Sequence, residues 1–158
     1  MKKQLIAVVS ALAMTFTSLP CVSIATENVP KPVVQYTFDG NKQLADQNGK
    51  NELKLSGGAS VTDDGNKGKG LLLDGTDGYA VLPDNILSSD MTITTWVKIN
   101  KFTTWGRVFD FGTDSNQNFF FAPYSGGASR VEIKNGATVD TMDCTQETAK
   151  DWVNYAIT

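Results

Sequence analysis

The residue types that perform most enzymatic chemistry are scarce in this sequence. Its 158 residues include no His, which excludes imidazole acid–base catalysis, His-activated nucleophiles and His-ligated metal sites. Its 2 Cys are too few for a thiolate zinc site or a disulfide-dense scaffold. The chemistry that remains available depends on carboxylates, amides and aromatic rings.

Three carboxylates lie in loops of the kind that hold Ca²⁺. Asp39, Asp74 and Asp77 each stand beside glycine, and such loops often supply carboxylate and carbonyl oxygens as ligands. They do not form an EF-hand loop, because Asn85 rather than Glu stands eleven places after Asp74. The alternative is that each carboxylate stabilises its own turn, so both interpretations stay open at this point.

Aromatic rings could stack on the C–H face of a sugar, with planar amides reaching its hydroxyls. Trp96 alternates with Thr94 and Lys98, which places it opposite the aliphatic side of a predicted strand. It lies in the core instead if both sides of that strand are covered. Further candidates are two aromatic residues and three amides in loop-like segments: Trp105, Tyr124, Asn116, Gln117 and Asn118.

Short alternating or apolar runs separated by Gly, Asn and Asp predict an all-β sandwich or barrel. The segment 63–70 is predicted to be a solvated turn, and single helical turns are predicted at 83–87 and 146–151. The predicted strands are 33–38, 53–55, 70–73, 79–82, 91–99, 107–111, 119–122, 129–134 and 152–158.

The N-terminus has the pattern of a secretory signal peptide. Lys2 and Lys3 precede an apolar run that is too short to span a membrane, and Ser23-Ile24-Ala25 forms a small-x-small cleavage signal. Cys21 leaves open a lipoprotein signal. We predict a signal peptide over 1–25, a linker over 26–32 and one secreted domain over 33–158.

Cleavage near Ala25 would change the charge and the cysteine content. Loss of Lys2 and Lys3 from the 14 basic residues leaves twelve against 17 acidic ones, a net charge of −5. That charge disfavours nucleic acid and anionic membranes as partners. Cys144 would be the remaining cysteine, and we interpret it as a small buried apolar residue rather than half of an intermolecular pair.

Several segments resemble one family when they are read in order. The run from Tyr36 to Asn41 resembles Y-x-F-D-G-N, and Leu44, Asp46 and Gly49 match L-x-D-x-x-G. Both elements are typical of bacterial laminin G-like modules of the concanavalin A-like lectin/glucanase superfamily. Later segments resemble G-K-A-L-x-F-D-G, Y-V-x-L, F-T-I-S-x-W-V-K, R-I-F-D-F-G and W-x-H-x-A-V-T; they are 68–75, 79–82, 91–98, 107–112 and 152–158.

The resemblance implies an antiparallel two-sheet jelly-roll sandwich, and many members bind one structural Ca²⁺. The family continues with L-Y-x-N-G and a further strand, so we expect an incomplete sandwich that forms the N-terminal part of a larger domain. Glucanases of the superfamily carry E-x-D-x-E on one strand. The four Glu here show no such run, so we expect no catalysis by these residues: Glu27, Glu52, Glu132 and Glu147.

The resemblance therefore implies a non-catalytic carbohydrate-binding module of a secreted, multidomain glycoside hydrolase. Its partner would be a polysaccharide or a cell-surface glycan, bound by Trp96, Trp105, Tyr124 and Asn116. One alternative is an extracellular adhesion or protein-interaction domain. Another is the N-terminal fragment of an enzyme whose catalytic residues lie beyond Thr158.

Overall fold

Ten β-strands make up the regular structure of this chain. The computed structural model describes residues 31–84, 86–146, 148 and 150–158, and within them there is no helix, so the prediction of an all-β fold is confirmed. The strands are β1 (Lys54–Ser56), β2 (Ser60–Gly65), β3 (Gly68–Leu72), β4 (Tyr79–Val81), β5 (Ile93–Val97), β6 (Phe109–Asp114), β7 (Gln117–Ala122), β8 (Ala128–Asn135), β9 (Thr138–Thr145) and β10 (Val153–Ile157).

All strand pairs are antiparallel. The largest sheet has the order β6-β7-β8-β9, and three further two-stranded sheets pair β1 with β4, β2 with β3 and β5 with β10. These sheets belong to one unit that runs from Pro32 to Thr158. No described residue belongs to a helix with the length and apolar character needed to cross a membrane.

The four-stranded sheet has two chemically different sides because successive side chains of a strand point to opposite faces. One side, called here the phenylalanine face, carries four Phe rings whose centroids lie 5.1–6.3 Å apart. Phe121 extends this cluster to the β5–β10 sheet, since its ring centroid lies 4.7 Å from that of Tyr155. The four rings are Phe109, Phe111, Phe119 and Phe121.

The predicted first strand, 33–38, is wrong. Phe38 adopts a left-handed φ of 62°, which breaks the extended alternation, and the segment has no ladder partner within the described part of the chain. The predicted helical turns at 83–87 and 146–151 are likewise absent from the positions described there, with Asp84 in a turn. The polar segment 63–70 is mostly strand, because β2 and β3 form a hairpin around residues 66–67.

Strand β9 was not anticipated, and it corrects the interpretation of Cys144. Every residue of β9 is exposed, since the strand pairs with β8 on one side and lies at the edge of the sheet. Cys144 is therefore an exposed free thiol rather than a buried apolar residue. The predicted signal peptide and most of the predicted linker lie outside the described residues.

Candidate functional site

The second side of the four-stranded sheet carries most of its charged residues, and we call it the Trp105 face. In the ladder register, Asp110 of β6, Phe120 of β7 and Glu132 of β8 lie in one row across the strands. Arg130 of β8 and Asp143 of β9 pair in the adjacent row. Trp105 and Arg107, which precede β6, complete the surface through their contacts with these residues.

Phe120 forms the floor of this face and is only 2% exposed. The Trp105 ring meets it edge-on, with centroids 6.3 Å apart and an interplanar angle of 80°. The Arg107 guanidinium carbon lies 4.1 Å from the centroid of the Phe120 ring, within the range of a cation–π contact. The Trp105 and Arg107 side chains therefore both pack on Phe120, which positions them at the surface.

Trp105 itself is held in an uncommon backbone conformation. Its φ is 64°, a left-handed value that costs a non-glycine residue about 1–2 kcal/mol. The loop is secured because the Trp105 N–H donates to the carbonyl of Tyr124 at 2.8 Å, and the Gly106 N–H donates to that of Thr103 at 2.9 Å. The ring remains 46% exposed. Strained residues of this kind cluster at binding and catalytic sites.

The segment that carries Tyr124 is tied to the sheet by serine hydroxyls. Ser129, which is buried, donates from Oγ to the carbonyl of Pro123 at 2.9 Å. The Ser125 N–H and Oγ both donate to the carbonyl of Ala128, at 2.8 and 3.0 Å. These bonds position the Tyr124 carbonyl that holds Trp105.

Arg130 is the electrostatic centre of the Trp105 face. Its Nε and Nη2 donate to the two carboxylate oxygens of Asp143 at 2.7 and 2.8 Å, and its Nη1 lies 3.8 Å from Glu132. These hydrogen bonds lower the pKa of Asp143 below its ordinary value and raise that of Arg130. The guanidinium carbon also lies 5.7 Å from the centroid of the Trp105 ring, so the Arg130–Asp143 ion pair and the Trp105 ring form one cluster.

A shallow depression of about 310 Å³ continues the face toward the β6–β7 turn. Arg107, Asp110, Asp114 and Asn118 are among its lining residues, and Arg107 forms an ion pair with Asp110. Within the described residues, the buried Oδ1 of Asn118 has no hydrogen-bond partner. An unsatisfied acceptor of this kind is normally completed by water or by a ligand hydroxyl.

The structure separates the four predicted ligand-binding residues. Trp105 and Tyr124 lie together, joined by the hydrogen bond described above. Asn116 lies in the turn between β6 and β7, beside the depression, where its N–H donates to Asp114 Oδ1 at 2.6 Å. Trp96 lies on a different sheet, in β5.

Trp96 occupies the exposed side of the β5–β10 pair, as its alternation predicts. It is 49% exposed and is directly opposite Asn154 in the ladder. The Asn154 Nδ2 donates to the carbonyl of Thr95 at 3.3 Å. Thr94 and Ala156 form the next pair on this side, and Lys98, which also alternates with Trp96, forms an ion pair with Asp64 at 3.1 Å. No contact between Trp96 and an arginine of the Trp105 kind is present among the described residues.

The three predicted calcium ligands do not converge. Asp39 Oδ1 accepts from the Lys69 N–H at 2.9 Å, at the β2–β3 hairpin. Asp74 Oδ1 accepts from the N–H groups of Thr76, Asp77 and Gly78 at 2.8–3.2 Å, and Asp77 Oδ1 accepts from Gly58 at 3.0 Å. No group of three or more His, Cys, Asp or Glu suited to a metal exists among the described residues.

The three carboxylates each use one oxygen for backbone N–H groups. Oδ1 is the acceptor in every case, so this oxygen is less available to a cation. The N–H donors of Thr76 and Gly78 also lower the pKa of Asp74 below its ordinary value. For Asp74 this geometry supports the alternative interpretation, in which the carboxylate closes its own turn. Asp39 and Asp77 instead join segments that are distant in sequence, and calcium binding stays an untested prediction.

Sequence reasoning missed the charged half of the Trp105 face. Arg107, Phe120, Arg130 and Asp143 were not singled out, because their roles depend on the pairing of β7 with β8 and of β8 with the unanticipated β9. One signal was present in the sequence: Arg130 and Glu132 alternate along a predicted strand with Ser129 and Val131, so they share a polar side.

Comparison with known proteins agrees with the architecture. The family model for laminin G-like domains, described as the concanavalin A-like lectin/glucanases superfamily, matches residues 74–158, more than half of the 158 residues. Comparisons with curated proteins and with solved structures gave no match. The matched region contains β4 to β10, and so both exposed tryptophans and the whole Trp105 face. The chain belongs to the concanavalin A-like lectin/glucanase superfamily.

Proposed function

We propose that this chain is a carbohydrate-binding module and that its binding surface is the Trp105 face. The observation that carries the proposal is a half-exposed Trp held in a strained conformation over a buried Phe and next to hydrogen-bonded Arg–carboxylate pairs. An exposed indole offers a flat apolar surface to the C–H groups of a pyranose, while the neighbouring donors and acceptors can reach its hydroxyls. Membership of a lectin and glucanase superfamily supports this assignment.

The surface is suited to binding rather than to cleavage. Glycoside hydrolysis usually needs a proton-donating carboxylic acid and a second carboxylate across the scissile bond. On the Trp105 face the ionised form of Asp143 is favoured by its hydrogen bonds to Arg130, and Asp110 is engaged by Arg107. We propose a non-catalytic module of a secreted glycoside hydrolase, and the signal-like N-terminus supports the secretion.

Affinity gel electrophoresis with soluble polysaccharides tests the proposal, with Trp105→Ala and Trp96→Ala as matched variants. Both tryptophans are about half exposed, at 46% and 49%, so the two substitutions remove similar rings from different sheets. We expect Trp105→Ala to weaken retardation at least about tenfold, as for an aromatic hot spot, and Trp96→Ala to retain it.

The far-UV circular dichroism of both variants serves as the folding control. Loss of binding in Trp96→Ala alone would move the site to the β5–β10 sheet. Absence of retardation of the wild-type protein by every polysaccharide tested would overturn the proposal and favour the protein-interaction alternative.

A further inference from the structure

The cations of the Trp105 face are already neutralised by carboxylates of the same face. Arg130 binds Asp143 through two hydrogen bonds and lies 3.8 Å from Glu132. Arg107 forms an ion pair with Asp110. The guanidinium charge that would attract an acidic ligand is therefore balanced at both positions.

The rest of the face adds no net positive charge. Lys134 is the further cation of β8 on this side, in register with Asn118. Glu132 balances it, and Asp114 lines the depression that continues the face. The face therefore sets four carboxylates against three cations, which are Arg107, Arg130 and Lys134. A uronate or sulfate would meet a small excess of negative charge there, and like charges at close range repel measurably even in water. The whole sequence adds a net charge of −3.

We infer that the Trp105 face selects neutral polysaccharides and rejects acidic ones, an inference that rests on the proposed carbohydrate-binding function. The ion pairs present hydrogen-bond donors and acceptors in fixed positions without a net field. A neutral sugar can use these groups without displacing a counter-ion. Asp143 already occupies the Nε–Nη2 edge of Arg130, so an acidic sugar would have to compete with it there or share the Nη1 end with Glu132, 3.8 Å away.

The test uses one polymer in two charge states. The probe is the neutral polysaccharide that retards the wild-type protein, compared with the same polymer after partial carboxymethylation. We expect binding to the carboxymethylated form to be about tenfold weaker at low ionic strength. We expect salt at about 1 M to remove most of that difference, because it shortens the screening length to roughly 3 Å.

A comparison of Asp143→Asn with Asp140→Asn distinguishes the effect of charge on the Trp105 face from the effect of the net charge of the protein. Both residues are exposed on β9 and both substitutions remove one negative charge, but Asp140 is in register with Ile133, on the phenylalanine face. Asp143→Asn leaves Arg130 with a weaker partner, so binding of the carboxymethylated polymer should increase about fivefold. Asp140→Asn should have little effect.

Three outcomes would overturn the inference. The first is stronger retardation by acidic than by neutral polymers, which would leave the carbohydrate-binding function standing. The second is a difference that neither salt nor Asp143→Asn changes, since it would reflect the bulk of the carboxymethyl groups. The third is no retardation by any polysaccharide, which would remove the proposed function as well.

Discussion

The Asp74 loop and the Trp105 face use the same residue type in opposite ways. Asp74 turns one oxygen inward to three backbone N–H groups of its own loop. Asp143 directs both oxygens to a guanidinium on the neighbouring strand. A carboxylate saturated by neutral amides closes a turn, whereas one paired with Arg on a sheet becomes part of a surface. The role of an aspartate therefore depends on which donors the fold brings to it.

The largest expected effect comes from a substitution that destabilises the packing of the Asp74 loop. A Cβ at Gly57 would overlap the backbone carbonyl of Asp77, and Gly57 also has a left-handed φ of 58°. We expect Gly57→Ala to lower the free energy of unfolding by about 3 kcal/mol, from overlap and backbone strain together. Urea denaturation followed by tryptophan fluorescence measures the change.

Gly75→Ala is the matched control for that substitution. Gly75 has a φ of 74° in the Asp74 loop, between β3 and β4, whereas Gly57 lies in the β1–β2 turn that packs against this loop; a Cβ at Gly75 would meet no atom within 4 Å. The expected loss is therefore about 1 kcal/mol, from the conformation alone. Equal effects of the two substitutions would show that the close approach of residues 57 and 77 does not hold this loop. Retardation by polysaccharide should be unchanged in the folded Gly75→Ala variant.

A smaller effect, on the pH dependence of stability, should distinguish the Asp74 loop from the Trp105 face. Hydrogen bonds lower the pKa of both Asp74 and Asp143 below the ordinary value of 3.8. A lowered folded-state pKa stabilises the protein above 3.8, and this stability is lost as the pH falls through the folded-state value. We therefore expect Asp74→Asn and Asp143→Asn each to make the acid-induced decline of the urea midpoint less steep than in wild type.

Salt should distinguish the two contributions because their donors differ. The partner of Asp143 is a cation, and screening at about 1 M salt weakens an exposed ion pair. The partners of Asp74 are uncharged amides, so its contribution should persist. High salt should consequently make the wild-type profile approach that of Asp143→Asn. If it approached that of Asp74→Asn instead, the two carboxylates would have been assigned to the wrong kinds of partner.

The sequence allowed the strands with apolar alternation to be predicted, and it failed where pairing supplies the stability. β5 and β10 follow predicted runs because their own side chains alternate, and β7 does so because it contains the continuous apolar run 119–122. β9 has no buried residue, so no apolar alternation marks it, although four of its eight residues are β-branched Thr or Val. It exists through its register with β8, including the Arg130–Asp143 pair.

The candidate site, like the fold, could be predicted only where residue type or local pattern is informative. The rings of Trp105 and Tyr124 could be selected from residue type alone. Loop composition drew attention to Asp74 and Asp77, whose predicted role as calcium ligands stays untested. The donors that bind Asp77 and Asp143 could not be predicted. Gly58 lies 19 positions before Asp77, and Arg130 lies 13 positions before Asp143. Such contacts depend on tertiary packing, which local patterns do not report.

The smallest expected effect concerns calcium and sharpens the account of the Asp74 loop. If the N–H groups of Thr76, Asp77 and Gly78 remain on Asp74 Oδ1, this carboxylate can offer a cation only Oδ2, whereas Ca²⁺ takes about six to eight oxygen ligands. We therefore expect no change in melting temperature when EDTA or millimolar CaCl₂ is added, since a ligand that does not bind the native state cannot stabilise it. Differential scanning fluorimetry measures this, with Asp74→Asn as the comparison. A rise in melting temperature with CaCl₂ that Asp74→Asn abolishes would show that the loop exchanges its amide donors for a metal ion.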